Sequence, residues 1–152
     1  MKGAPSVNSV MSPFQTVSGS EPVDAAMQVM RVHSLNAILV EPNAEGEWGI
    51  MTKRDILRDI FVRNRRPDGV TVNDIASRYL VSCTRETPLL QVARQMMNNG
   101  IRRVVVMENG QPLGVVTEAD LFRLVEASGW SPASAITGIS SYNFLPLLQL
   151  KG

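Results

Sequence analysis

The sequence predicts an α+β fold of α/β sandwich-like character, built from two copies of one β-α-β-β-α unit, and three observations predict it. A heptapeptide occurs twice: Gly49-Ile50-Met51-Thr52-Lys53-Arg54-Asp55 returns 65 residues later as Gly114-Val115-Val116-Thr117-Glu118-Ala119-Asp120. Each copy follows an apolar stretch and opens a helical pattern, Ile56-Leu57 with Ile60-Phe61 and Leu121-Phe122 with Leu124-Val125, so each Thr stands where a strand hands over to a helix. The elements upstream of the heptapeptide also recur in the same order. A fixed long period marks a repeat architecture before any single element is assigned.

Taken in order, residues 1–9 are small and polar and read as a loose arm, and Val10-Met11-Ser12-Pro13 begins the first repeat. Thr16-Val17 is a short strand. Ser20-Glu21-Pro22 signals a helix start, with Ser20 as cap and Pro tolerated in the first turn. Val23, Ala26, Met27 and Met30 then recur at i, i+3, i+4 and i+7, one apolar helix face. Ala37–Val40 is a buried strand, residues 41–47 a polar turn, Trp48–Met51 the return strand, and Asp55 to about Arg63 the second helix. Asn64-Arg65-Arg66-Pro67-Asp68-Gly69 separates the repeats.

The second copy follows suit. Val72–Ile75 leads in, Val81–Cys83 is the short strand, and Thr87-Pro88 starts a helix with the face Leu89, Val92, Ala93, Met96 and Met97. Asn98-Asn99-Gly100 ends that helix, Gly taking the left-handed cap. Arg103–Met107 and Leu113–Val116 are strands joined by the turn Glu108-Asn109-Gly110-Gln111. The expected division is residues 1–66 for the first repeat with its arm, 67–128 for the second, and 129–152 for an apolar tail. Units of roughly 60 residues bury little core alone, so the two are expected to pack together.

Composition narrows the function. Of 152 residues, 44% are hydrophobic and 19% charged, a globular balance, and a net charge of +1 offers no global field for nucleic acid or anionic lipid. One cysteine, Cys83, excludes an intrachain disulfide, and His33 as sole histidine disfavours a zinc site. The first ten residues lack the apolar centre of a signal peptide, and no apolar run spans a bilayer, so a cytoplasmic protein with no membrane partner is expected. No Ser/His/Asp or Cys/His constellation and no Walker-type loop is present, so no enzyme is expected.

Thr-x-x-Asp has two readings, and they are compatible. In one, Thr caps a helix and the acid answers it as a capping box. In the other, the free N–H groups and dipole of a helix start favour a phosphate, the hydroxyl adds a bond to it, and the carboxylate accepts from ribose hydroxyls.

The ordered set Val-Met-x-Pro, Thr-Val, Pro-Val-x-x-Ala-Met-x-x-Met, a strand, then Gly-h-h-Thr-x-x-Asp (h, apolar), present twice between about Val7 and Ser128, resembles the cystathionine β-synthase (CBS) domain. Two in tandem resemble the CBS pair, or Bateman module. The resemblance implies two units packed through their sheets with pseudo-two-fold symmetry, and clefts between them for AMP, ADP, ATP or S-adenosylmethionine as regulatory ligand, with no required cofactor. It implies that Asp55 and Asp120 bind ribose, that Thr52 and Thr117 bind phosphate or ribose, and that the Thr16-Val17 and Ser82-Cys83 segments meet adenine. It further implies that Ala37 and Arg103 hold matching places from which a basic residue reaches phosphate. Met11, Ile38, Ile50 and Val115 would then wall the base. Disc-like homodimers are also implied.

The two sites differ in charge. Lys53 and Arg54 follow Thr52 at a helix start, where cations oppose the dipole by about 0.3–1 kcal/mol each, a cost that a bound phosphate would offset. Glu118 follows Thr117, and Arg102 with Arg103 would compensate if they face the ligand. The Thr52 site is therefore expected to tolerate the more highly charged ligand. Arg63, Arg65 and Arg66 read as a solvated helix end without interleaved aromatics, so no nucleic acid is expected. Cys83 reads as a small buried strand residue, and the helical methionines as core or dimer face. Trp130–Leu150 carries no charge and is expected to pack on its own module, a dimer mate or a partner protein. The alternative to a nucleotide sensor is a ligand-free interaction or scaffold module in which Thr-x-x-Asp only caps and the tail contacts a partner.

Overall fold

The computed structural model describes residues 6–128; the tail from 129 onward lies outside them. It contains two compact units. One is Phe14–Leu80, and the other joins the described residues before Phe14 to those after Leu80.

In the first unit, β1 (Thr16–Val17), α2 (Val23–Val32), β2 (Ala37–Val40) and β3 (Gly49–Thr52) follow α1 (Val7–Val10), which belongs to the other unit. β2 is central, parallel to β1 and antiparallel to β3. α3 (Lys53–Ile56) continues directly into a π-helical turn, Leu57–Phe61, closed by the Val62 N–H donating to the Leu57 carbonyl at 2.9 Å. α4 (Val72–Ile75) completes the unit. The second unit repeats the plan with β4 (Ser82–Cys83), α5 (Leu89–Asn99), β5 (Arg103–Glu108), β6 (Gln111–Thr117) and α6 (Glu118–Ser128), its sheet ordered β4-β5-β6. Asn109 and Gly110 both have positive φ, 53° and 76°, as a two-residue hairpin turn of the primed kind demands. Each unit has its own core, the first gathered around Val23, Met30, Ile38 and Met51, the second around Val92, Met96, Val104 and Val116.

The compact units are not the two sequence repeats. α1, with Val7 fully buried, packs into the core of the second unit, and α4 packs into the first through Val72 and Ile75. Each repeat thus gives its leading segment to the other repeat's sheet. Ser12 exchanges two backbone hydrogen bonds with Val115, at 2.8 and 3.0 Å, and Ser77 exchanges two with Ile50, both 2.9 Å. The heptapeptide glycines make room for this approach. A Cβ on Gly49 would lie 2.9 Å from the Ser77 carbonyl oxygen, and one on Gly114 would lie 2.8 Å from Met11 Sδ and 3.1 Å from the Ser12 carbonyl oxygen. Arg78 secures the first case, its guanidinium donating to the Glu41 and Glu47 carbonyls and to Asn73 Oδ1.

Two local expectations are corrected. The arm is not loose throughout, because Val7–Val10 is helical and anchored by an apolar side chain. Ser20 is not the cap of α2: Pro22 holds that position, and Ser20 bonds Ser18 instead. The lead-in Val72–Ile75 is a capped helical turn. Of the helical methionines, Met30 and Met96 fill the cores, while Met27 and Met97 are solvent-exposed.

Candidate functional site

Each heptapeptide places its Thr at a strand end that is also a helix start. Thr52 closes β3 and caps α3: its Oγ1 accepts from the Asp55 N–H at 3.1 Å, while Asp55 Oδ2 accepts from the Thr52 N–H at 2.8 Å and from Thr52 Oγ1 at 3.0 Å. Thr117 does the same for α6, its Oγ1 accepting from the Asp120 N–H at 3.0 Å and its N–H donating to Asp120 Oδ2 at 2.8 Å. The capping reading of both motifs is therefore realised. The first helical N–H groups are engaged as well, Lys53 donating to the Asn36 carbonyl at 3.0 Å and Glu118 to the Arg102 carbonyl at 2.8 Å. These contacts leave the N–H groups of Arg54 and Ala119 for other partners.

In both motifs the cap uses Oδ2 and leaves Oδ1 turned away from it. Asp55 Oδ1 accepts from Arg58 Nη2 at 3.0 Å. Asp120 Oδ1 accepts from Ser12 Oγ at 2.9 Å and from Arg123 Nη2. Asp120 is only 6% exposed, the one buried charged residue among those described. Arg58 also grips Asp59, which holds the guanidinium pKa above its ordinary value and lowers that of Asp59.

Ala37 pairs with Thr52 across β2 and β3, and Arg103 with Thr117 across β5 and β6, so both lie one strand from a cap hydroxyl. Arg103 is half-buried, while Lys53, Arg54 and Arg102 are exposed. Met11, Ile50 and Val115 are half-buried at the edge where the exchanged segments pair, and Thr16 is half-buried with Ser82 exposed. Ile38 differs from its assignment as wall: at 1% exposure its side chain is packed into the first core. Val17 and Cys83 likewise point into cores, so what they offer a ligand is backbone. Burial pushes the Cys83 thiol up to about 11.

Three side chains at these sites escaped the sequence reading: Ser12, Arg58 and Arg123. The arginines follow their aspartates by three residues in both repeats, a signal present in the 65-residue register. Ser12 is 108 residues from Asp120 and carried no local signal. A third Thr-x-x-Asp, Thr71 to Asp74, is also a capping box, on α4; Thr71 donates its N–H to Asp74 at 2.9 Å, which lowers the Asp74 pKa. The four-residue motif alone therefore specifies a cap, and any ligand role rests on what surrounds it.

The first unit also carries an open groove of about 880 Å³ between α2 and α3, lined by Asp24, Met27, Gln28, Met30, Arg31, Ser34, Lys53, Ile56, Leu57 and Pro67. Leu57 of this lining is exposed, as are Phe61 and Val62, Phe61 to 77%. Among the described residues no cluster of His, Cys, Asp and Glu could hold a metal ion, and no helix is long and apolar enough to cross a membrane.

Comparison with known proteins matches the family model "CBS domain" twice, at residues 7–62 and 72–127. The CBS domain-containing protein YhcV of Bacillus subtilis is 31% identical over 129 residues, covering 84% of this chain and 89% of that protein. The mitochondrial CBS domain-containing protein CBSX3 of Arabidopsis thaliana is 33% identical over 104 residues, 66% of this chain and 50% of that one. An uncharacterised Methanopyrus kandleri protein is 27% identical over 112 residues, 71% of this chain and 57% of its own. The chain thus spans about half the length of several curated relatives it matches. Among solved structures, a hexameric CBS-CP12 protein from bloom-forming cyanobacteria superposes with a TM-score of 0.73 at 26% identity, over 78% of this chain and 67% of that one. The CBS domain pair of protein MJ0100, solved with 5′-methylthioadenosine and S-adenosyl-L-methionine, superposes with a TM-score of 0.71 at 24% identity, over 82% and 98%.

Proposed function

Because the chain belongs to the CBS-domain family and carries its domain twice, we propose that it is a regulatory module that works by binding an adenosine compound, AMP, ADP, ATP or S-adenosylmethionine, without catalysis of its own. The observation that carries this reading is the geometry of the two aspartates. Each is oriented by its cap through Oδ2 and presents Oδ1 to donors beyond the cap. An oriented carboxylate oxygen is what a ribose diol requires, and charge-assisted hydrogen bonds of this kind are the strong ones. The backbone of Thr16-Val17 and Ser82-Cys83 would meet adenine, with Ile50, Val115 and Met11 as apolar wall. Arg54 N–H, Lys53 and Thr52 would meet phosphate in the first half; Ala119 N–H, Thr117 and Arg103 are their counterparts in the second. The adenosine ligands of the MJ0100 pair support the ligand class. The extra cations of the Thr52 half support its preference for the more highly charged compound.

Binding would bias an equilibrium between conformations by the ligand's difference in affinity for them. A thermal-shift series with AMP, ADP, ATP, NADH and S-adenosylmethionine tests the reading, since a ligand of the folded state alone raises stability by mass action, about 2.7 kcal/mol at a hundredfold excess over Kd. No shift with any of them at millimolar concentration refutes it. Self-association as a homodimer is part of the proposal and draws on the exposed Leu57, Phe61 and Val62 beside the α2–α3 groove. The same surface is the one that favours the second reading, a protein-interaction module, should every adenosine compound fail.

A further inference from the structure

We propose that the two Thr-x-x-Asp sites have diverged, Arg58 being an exchangeable occupant of Asp55 that yields the carboxylate to a ribose hydroxyl by moving wholly onto Asp59, while Asp120 is locked and serves the fold. The inference rests on the ribose-binding reading above and adds which half binds and which residue governs access to it.

In the first half the guanidinium already has two anchors. Arg58 Nη2 lies 3.0 Å from Asp55 Oδ1 and 2.8 Å from Asp59 Oδ2, and its Nε lies 3.3 Å from both Asp59 oxygens. Asp59 therefore holds it by two nitrogens and Asp55 by one. The Arg58 side chain is 55% exposed, so it can swing without crossing packed atoms. Giving up Asp55 leaves the cation paired and strands no buried group, because the cap still holds Asp55 Oδ2.

The second half lacks both features. The position equivalent to Asp59 is Leu124, and the one ion pair recorded for Arg123 among the described residues is the one with Asp120 itself. Asp120 Oδ1 accepts a second bond, from Ser12 Oγ, and the carboxylate is buried. A ligand taking Asp120 would leave the half-buried Ser12 hydroxyl without its acceptor, and a polar group shielded from water with no partner is costly. The counterpart of Ser12 in the first half, Ser77, instead turns to its own loop, where its Oγ accepts from the Tyr79 N–H at 3.1 Å.

Calorimetric titration of the full chain with AMP, ATP and S-adenosylmethionine tests this. One equivalent per chain is expected. Arg58→Gln removes the competitor and should tighten binding by about two- to fivefold, the range of an exposed ion pair. Asp59→Asn removes the alternative anchor and should weaken binding by a similar factor. Opposite signs are the diagnostic, since a merely structural Arg58–Asp59 staple would move both variants the same way. Ser12→Ala should lower the melting temperature without changing affinity. Two equivalents, same-signed or absent effects at Arg58 and Asp59, or loss of affinity in a folded Ser12→Ala protein overturns the inference while leaving ribose binding intact. Absence of binding to all three probes by the unsubstituted chain overturns the ribose reading itself.

Discussion

Removing the two equivalent carboxylates should cost the fold unequal amounts. Asp55→Ala breaks a capping box whose other contact, Arg58, keeps Asp59. The loss is that of a cap interaction, about 1 kcal/mol. Asp120→Ala also breaks a cap, but it further leaves Ser12 Oγ without its acceptor and Arg123 without its carboxylate. A half-buried hydroxyl left without its acceptor costs about 1–2 kcal/mol. The Arg123 pair contributes little, because its guanidinium is 63% exposed and surface pairs are worth about 0–1 kcal/mol. Asp120→Ala should thus destabilise by about 2–3 kcal/mol against about 1 for Asp55→Ala. At about 2–4 °C per kcal/mol for a chain of this size, the melting temperatures should fall by about 4–12 °C and about 2–4 °C. Urea unfolding of the two variants without ligand, followed by circular dichroism, measures the difference through the midpoint at constant slope. Equal losses, or a larger loss for Asp55→Ala, would refute the claim that the second carboxylate is integrated into the fold and the first is not.

Three further outcomes are expected. Thr71→Ala should destabilise by about 0.5–2 kcal/mol with no change in nucleotide affinity, whereas Thr52→Ala should lower both; a binding loss in Thr71→Ala, measured by calorimetry, would contradict the assignment of that third motif as a cap alone. Gly49→Ala should cost about 1–3 kcal/mol, because its Cβ meets the Ser77 carbonyl, and Gly114→Ala less, because the nearest atom is the flexible end of Met11; comparison of urea midpoints decides the order. The carboxyls of Asp59, Asp68 and Asp74 are held below their ordinary 3.8 by Arg58, by Arg66 and by the Thr71 N–H. Their contribution to stability is therefore complete above about pH 4 and is lost as pH falls through the lower folded values. The fall in melting temperature below pH 4 should be shallower in Asp74→Asn than in the unsubstituted chain.

What could be read from the chain and what could not divide along the distance over which the information is held. The heptapeptide, the hairpin turn at Asn109-Gly110 and the Gly100 cap are local, and each names its conformation through residues within a few positions of one another. The Thr-x-x-Asp motif was legible as a cap for the same reason, with both partners three residues apart. Ser12 was not legible as a partner of Asp120, since the bond joins residues 108 apart and depends on which unit receives the leading segment. That exchange did leave a trace, in that Val7 and Val72, Ser12 and Ser77, and Gly49 and Gly114 all stand 65 residues apart. The register shows which segments are equivalent but not whether each packs on its own sheet or on the other's. The glycines decide it physically. A strand Gly with no turn to make needs another reason, and here the reason is backbone arriving from the other repeat, close enough that a methyl group would crowd a carbonyl oxygen. The same logic explains why the two sites diverged where they did. Once Ser12 reaches Asp120 the carboxylate has a structural task, and a neighbouring Leu124 is tolerated where the first repeat has Asp59. Without such a hydroxyl, Asp55 depends on Arg58, and an arginine with two carboxylates to choose from is one that a ligand can move.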